Sequence, residues 1–134
     1  MFKKLIALVI MLVSMFSLIC FSVSADESGM MYLYTRSCSS SLSISGSTAT
    51  CNSSLRGYYG LTTKIEVTQT LQVRDGNQWR QSKTWTATYY SHNCDFENTK
   101  TVYSGNTYRV KSEFKVYAGS SYETVYSYST SQST

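Results

Sequence analysis

The chain has 134 residues, a formal net charge of +4, four cysteines and no proline. That length leaves room for one domain of ordinary size and excludes two once a leader is set aside. Its basic residues are scattered singly along the chain and gather in no run, so nucleic-acid binding, which normally uses a dense basic cluster, is not expected.

The chain opens Met1-Phe2-Lys3-Lys4 and continues as an apolar run from Leu5 to Phe21, relieved only by Ser14 and Ser17. The run closes on Val23-Ser24-Ala25 before polarity switches to Asp26-Glu27-Ser28. A basic start, an apolar stretch and a small-residue exit are the parts of a cleavable secretory signal peptide, here residues 1–25. A membrane anchor is the competing reading, because about 17 apolar residues sit at the lower edge of what spans a bilayer. The small-residue exit and the lack of a basic stop-transfer cluster disfavour it. Lipid attachment at Cys20 is disfavoured by Ile19, where a small residue is wanted. The mature chain is thus expected to be secreted, with no stable membrane insertion, and the absence of a sorting signal points to free release. Loss of Lys3 and Lys4 leaves ten positive charges against eight negative ones, a balance that calls for no polyanionic partner.

Residues 26–37 read as an N-terminal extension and 38–134 as the folded domain. Ser41 to Ser45 alternates Leu42 and Ile44 with serine, Gly46 turns, and Thr48 to Leu55 alternates Ala49, Cys51 and Leu55 with polar residues, which makes a hairpin. The clearest strand runs from Thr63 to Arg74, with Ile65, Val67, Leu71 and Val73 on one face. Asp75-Gly76-Asn77 turns it into a second strand from Gln78 to about Tyr90, carrying Trp79, Trp85 and Ala87 on one parity. A weaker strand spans Asn93 to Tyr103. Ser104-Gly105-Asn106 then leads into Tyr108, Val110, Ser112, Phe114 and Val116 on one face, and after Ala118-Gly119-Ser120 a closing strand runs from Tyr122 to Ser129. About seven short strands in roughly a hundred residues predict an all-β, two-sheet antiparallel sandwich of immunoglobulin-like type; a small closed barrel is the alternative. Tyr108, at the mouth of its strand after a glycine turn, stands where sandwich folds place a tyrosine corner, and an ordinary core aromatic is the other reading.

The order of the segments SLSISGSTATCNSSLRGY, TKIEVTQTLQVRDGNQWRQSKTW, SGNTYRVKSEFKVYAG and SYETVYS resembles an uncharacterised family of small exported proteins from Firmicutes. The Ser-rich opening, the hairpin carrying Leu71, Gly76 and Trp79 (with a slightly different gap) and the Tyr-Arg-Val strand carry the resemblance, over about residues 38–128. It implies a secreted β-sandwich and transfers no activity, cofactor or active residue.

Cys38, Cys51 and Cys94 remain after the leader, an odd number for a secreted domain. Cys38 with Cys51 is the expected disulfide across the first hairpin, in preference to Cys51 with Cys94, which leaves Cys94 free. No CxxC pair or cysteine–histidine spacing suggests zinc, and no cofactor is expected. His92-Asn93-Cys94-Asp95 is the sharpest catalytic candidate, yet side chains two apart on a strand stand about 7 Å apart, too far for a nucleophilic dyad. Asp95 and Glu97 read as solvated loop charges. Trp79, Trp85, Tyr89, Tyr90 and the C-terminal tyrosines exceed what a small core can bury, so an aromatic binding face is expected, with Tyr89, Tyr90, Tyr122, Tyr126 and Tyr128 as its candidates; the other reading is that alternating tyrosines pair across strands and cover the sheet. These features point to a non-enzymatic secreted binding module whose partner is an extracellular protein or glycan. A secreted toxin or bacteriocin-like protein is the alternative, separable by killing assays, and a hydrolase using Cys94 is a third.

Overall fold

The computed structural model describes residues 32–134, so the leader reading lies outside the described residues. Eight strands follow one another: β1 Thr35–Ser45, β2 Thr48–Gly57, β3 Lys64–Asp75, β4 Gln78–Tyr89, β5 Asn93–Thr101, β6 Thr107–Ala118, β7 Ser121–Tyr128 and the two-residue β8 Gln132–Ser133. They form two antiparallel sheets, β1-β2-β5 and β4-β3-β6-β7, with β8 pairing with β6. This is the immunoglobulin-like sandwich, with the hairpin partner of β3 kept beside β3 instead of beside β5. The first strand opens at Thr35, three residues inside the expected N-terminal extension.

Strict alternation builds both inner faces. Ile65, Val67, Leu71 and Val73 of β3 and Val110, Phe114 and Val116 of β6 are buried, while their sequence neighbours face outward. Three hairpins turn on two residues, Gly46-Ser47, Gly76-Asn77 and Gly119-Ser120, each with the glycine at positive φ and the following residue not. That is the Gly-X form whose twist matches the flanking strands.

The core is in two parts. One cluster gathers Leu42, Cys51, Leu71, Val73, Tyr108 and Val110, the other Leu55, Ile65, Val67, Cys94, Phe114 and Val125. Between them runs a polar layer. The hydroxyl of Ser112 on β6 lies 2.6 Å from those of Ser40 on β1 and Ser53 on β2. Gln69 of β3 donates to the Ser53 hydroxyl at 2.8 Å and to the Phe96 carbonyl at 3.2 Å, and accepts from Asn98 at 2.9 Å. Every buried polar side-chain atom among the described residues has a partner. The layer therefore avoids the desolvation penalty of an unpaired group and ties β2 to β6, the strand pair that antibody domains join with a disulfide.

The expected Cys38–Cys51 disulfide does not form, and register is the reason. Cys38 stands opposite Leu55, whereas Cys51 stands opposite Leu42. The two cysteines are therefore four positions out of register, about 13 Å along the strands, against the roughly 7 Å that a disulfide can bridge. Cys94 also faces Leu55, from the other side. All three thiols are free, with Cys51 and Cys94 buried and Cys38 partly so.

Candidate functional site

The outer face of the larger sheet is where the molecule gathers unspent chemistry. Outward positions of β6 carry Arg109, Lys111, Glu113, Lys115 and Tyr117, and those of β7 carry Tyr122, Tyr126 and Tyr128, which are 55, 49 and 45% exposed. Register sets Lys111 opposite Tyr128, Glu113 opposite Tyr126 and Tyr117 opposite Tyr122. Cross-strand and diagonal neighbours at this spacing interact, so each cation meets a ring. Lys111 Nζ is 5.7 Å from the Tyr126 centroid and Lys115 Nζ 5.5 Å from that of Tyr122. Lys64 Nζ is 4.1 Å above Tyr117, and the Tyr117 and Tyr122 rings lie 5.3 Å apart.

At the other end of the face Arg109 lies between two rings, 4.3 Å from Trp79 and 4.6 Å from Tyr128. Its Nε donates to Gln72 Oε1 at 2.8 Å, which fixes the guanidinium plane. Arg74 lies 5.6 Å from the same Trp79. Trp79 reaches this face through a β-bulge. The pairing of β3 with β4 slips between Leu71 and Gln72, so that Lys83 faces Leu71 but Gln81 faces Gln72. One extra residue reverses the side on which subsequent side chains emerge. Trp85 thus packs against the core while Trp79, expected to share its face, stands opposite Arg74 on the outside. Between the two ends Thr70 faces Thr84 with their hydroxyls 3.3 Å apart, and Thr68 faces Thr86, giving a patch of hydroxyls.

Of the five expected binding-face tyrosines, Tyr122, Tyr126 and Tyr128 share this surface. Tyr89 does not belong to it. Its parity is that of Ile65, its hydroxyl donates to the Asp95 carbonyl at 2.9 Å, and its ring meets Phe96 edge-on at 6.4 Å. Burial raises its hydroxyl pKa. Tyr90 lies just past the end of β4 and is 84% exposed. Trp79 stands among the aromatics that the sequence has in excess of a small core, but its outward direction needs the bulge, and Tyr117 was missed, showing only as an outward position at the end of β6. Tyr126 donates to Glu113 Oε1 at 3.2 Å, and this bond and the carboxylate's charge raise its pKa.

The remaining candidates separate. Cys94 points into the core, where burial, with Asp95 adding, pushes its thiol up to about 12. The His92 ring instead sits edge-on to Tyr59 at 5.4 Å. A thiol held protonated and turned from the imidazole is not an activated nucleophile. Asp95 accepts two bonds from Arg56, at 2.9 and 3.0 Å, and one from Ser54 at 2.8 Å; these hold its carboxyl below its ordinary value. Among the described residues no group of three His, Cys, Asp or Glu side chains could hold a metal ion, and no helix is long and apolar enough to cross a membrane. Tyr108, 3% exposed, accepts the Tyr103 backbone N–H on its hydroxyl at 3.2 Å, across the turn that leads into β6.

No family model and no curated protein matches the chain. Among solved structures it is similar to the solution structure of R. palustris CsgH, with a TM-score of 0.43 and 12% identity over 68% of this chain and 87% of that one.

Proposed function

We propose that this protein is an exported, non-enzymatic binding module and that the outer face of β4-β3-β6-β7 is its binding surface. The carrying observation is the interleaving of half-exposed rings with cations on one sheet face, Trp79 and Tyr128 around Arg109 and Tyr122 beside Lys115. A core-covering role does not account for it, because these side chains lie on the solvent side of a sheet whose inner face is already filled. Rings ordered by cation contacts lose little freedom on binding, which favours them as anchors. Export rests on the leader, and the resemblance to small exported proteins supports the same reading.

The test compares two double variants in retention on the cell envelope and exopolysaccharide of a producing culture. Tyr126→Ala with Tyr128→Ala is expected to lose roughly tenfold in retention. Tyr59→Ala with Tyr103→Ala, which removes two strongly exposed tyrosines from outside this face, is expected to change nothing. Equal loss in both, or in neither, overturns the assignment of the face.

A further inference from the structure

Five of the ten positive charges of residues 26–134 stand on this one face: Lys64, Arg74, Arg109, Lys111 and Lys115. Among the described residues only Glu66 and Glu113 oppose them there, and the other five cations stand with four carboxylates elsewhere. Positive charge that is scattered singly along the sequence is thus concentrated on this face, five cations against two carboxylates. Resting on the binding-face reading above, we propose that the ligand is an acidic polysaccharide, a chain of sugar rings bearing carboxylates.

Three features select that chemistry. Outward positions on β6 recur about every 7 Å, so Arg109 and Lys111 present a short row of cations and not a single point charge. A polymer with a charge on each unit matches a row. The rings recur along with the cations, so each unit needs a surface to stack as well as a charge to pair, which an acidic sugar has and a polyol phosphate lacks. The third feature separates a glycan from a single-stranded nucleic acid, which also combines rings with charge. Glu113 stands between Lys111 and Lys115 in the middle of the row and accepts hydroxyl donors, as it does from Tyr126; a sugar chain offers several hydroxyls on every unit, and a single-stranded DNA offers none along its backbone. The hydroxyls of Thr70 and Thr84 add further partners for a hydroxyl-rich chain.

The purified exported protein is titrated with polygalacturonate, with the same polymer fully methyl-esterified, and with single-stranded oligothymidine. Binding is expected to polygalacturonate only, weakened several-fold between 50 and 500 mM salt and roughly tenfold by Lys111→Gln with Lys115→Gln. These lysines lie on the solvent face, and an unchanged melting temperature checks that the variant is folded. Equal affinity for the methyl ester overturns the acidic class while leaving the face intact, provided Tyr126→Ala with Tyr128→Ala still weakens it. Tighter binding to oligothymidine overturns the glycan. Binding to none of the three, or polygalacturonate binding that both lysine substitutions leave unchanged, overturns the proposal whatever the envelope retention test gives.

Discussion

At Cys94, on the inner face of β5, a thiolate would have to form without water beside Leu55 and Phe114. Burial raises the thiol of Cys51 to about 11 and that of Cys94 to about 12. In the unfolded chain both would ionise near the ordinary thiol value of about 8.5. Below that value the thiols are protonated in both states, so their contribution is fully present. As pH rises through the window between the unfolded and folded values, only the unfolded chain releases its protons, and stability falls. The urea midpoint is therefore expected to decline above about pH 9, and to decline less steeply in Cys51→Ala with Cys94→Ala than in the parent. Lysine deprotonation is common to both proteins and cancels in the comparison. Parallel curves from pH 7 to 11 would show that the thiols do not titrate on unfolding.

The hairpins show which parts of the elements were legible and which were not. A period of two over twelve residues marks β3 and β6 because one face is buried and the other is wet. The disulfide error was avoidable, since a two-residue loop at Gly46-Ser47 already sets Cys51 opposite Leu42. The bulge in β4 was not legible: Gln81-Ser82-Lys83 is polar throughout, so no apolar position records the slip that sends Trp79 outward. Nor does β8 leave a pattern in two residues. The same elements separate two costs of replacing glycine. Gly76 has φ of +61° with nothing within 4 Å of an added Cβ, so Gly76→Ala bears only the left-handed backbone cost, about 1–2 kcal/mol. At Gly57 a Cβ would lie 2.6 Å from Thr62 Oγ1, which donates to the Tyr34 carbonyl and accepts from the Tyr58 N–H. Gly57→Ala must break that small network as well as relieve the clash, and denaturant titration is expected to show the larger loss there. A smaller loss at Gly57 would mean that the loop from Tyr58 to Thr63 gives way freely.

A sandwich of this size can be held together by a covalent bridge between its sheets or by what fills the space between them. Here the two apolar clusters are joined through Ser40, Ser112, Ser53 and Gln69, and among the described residues no cysteine lies opposite another. A bridge closing the loop from Cys38 to Cys51 would contribute about 3 kcal/mol. At roughly 4–8 °C per kcal/mol for a domain near a hundred residues, its reduction would lower the melting temperature by more than 10 °C. The melting temperature is accordingly expected to stay the same with and without dithiothreitol. Ser112→Ala is expected to lower it by several degrees, because the Ser40 hydroxyl loses its partner and β6 loses its tie to β1 and β2, at about 1–3 kcal/mol. Calorimetry on the two proteins, each with and without reductant, separates the cases. A fall on reduction would place a covalent bond where the strand register sets the sulfurs apart. An unchanged Ser112→Ala would mean that apolar packing alone joins the sheets and that the polar layer serves to fix their register.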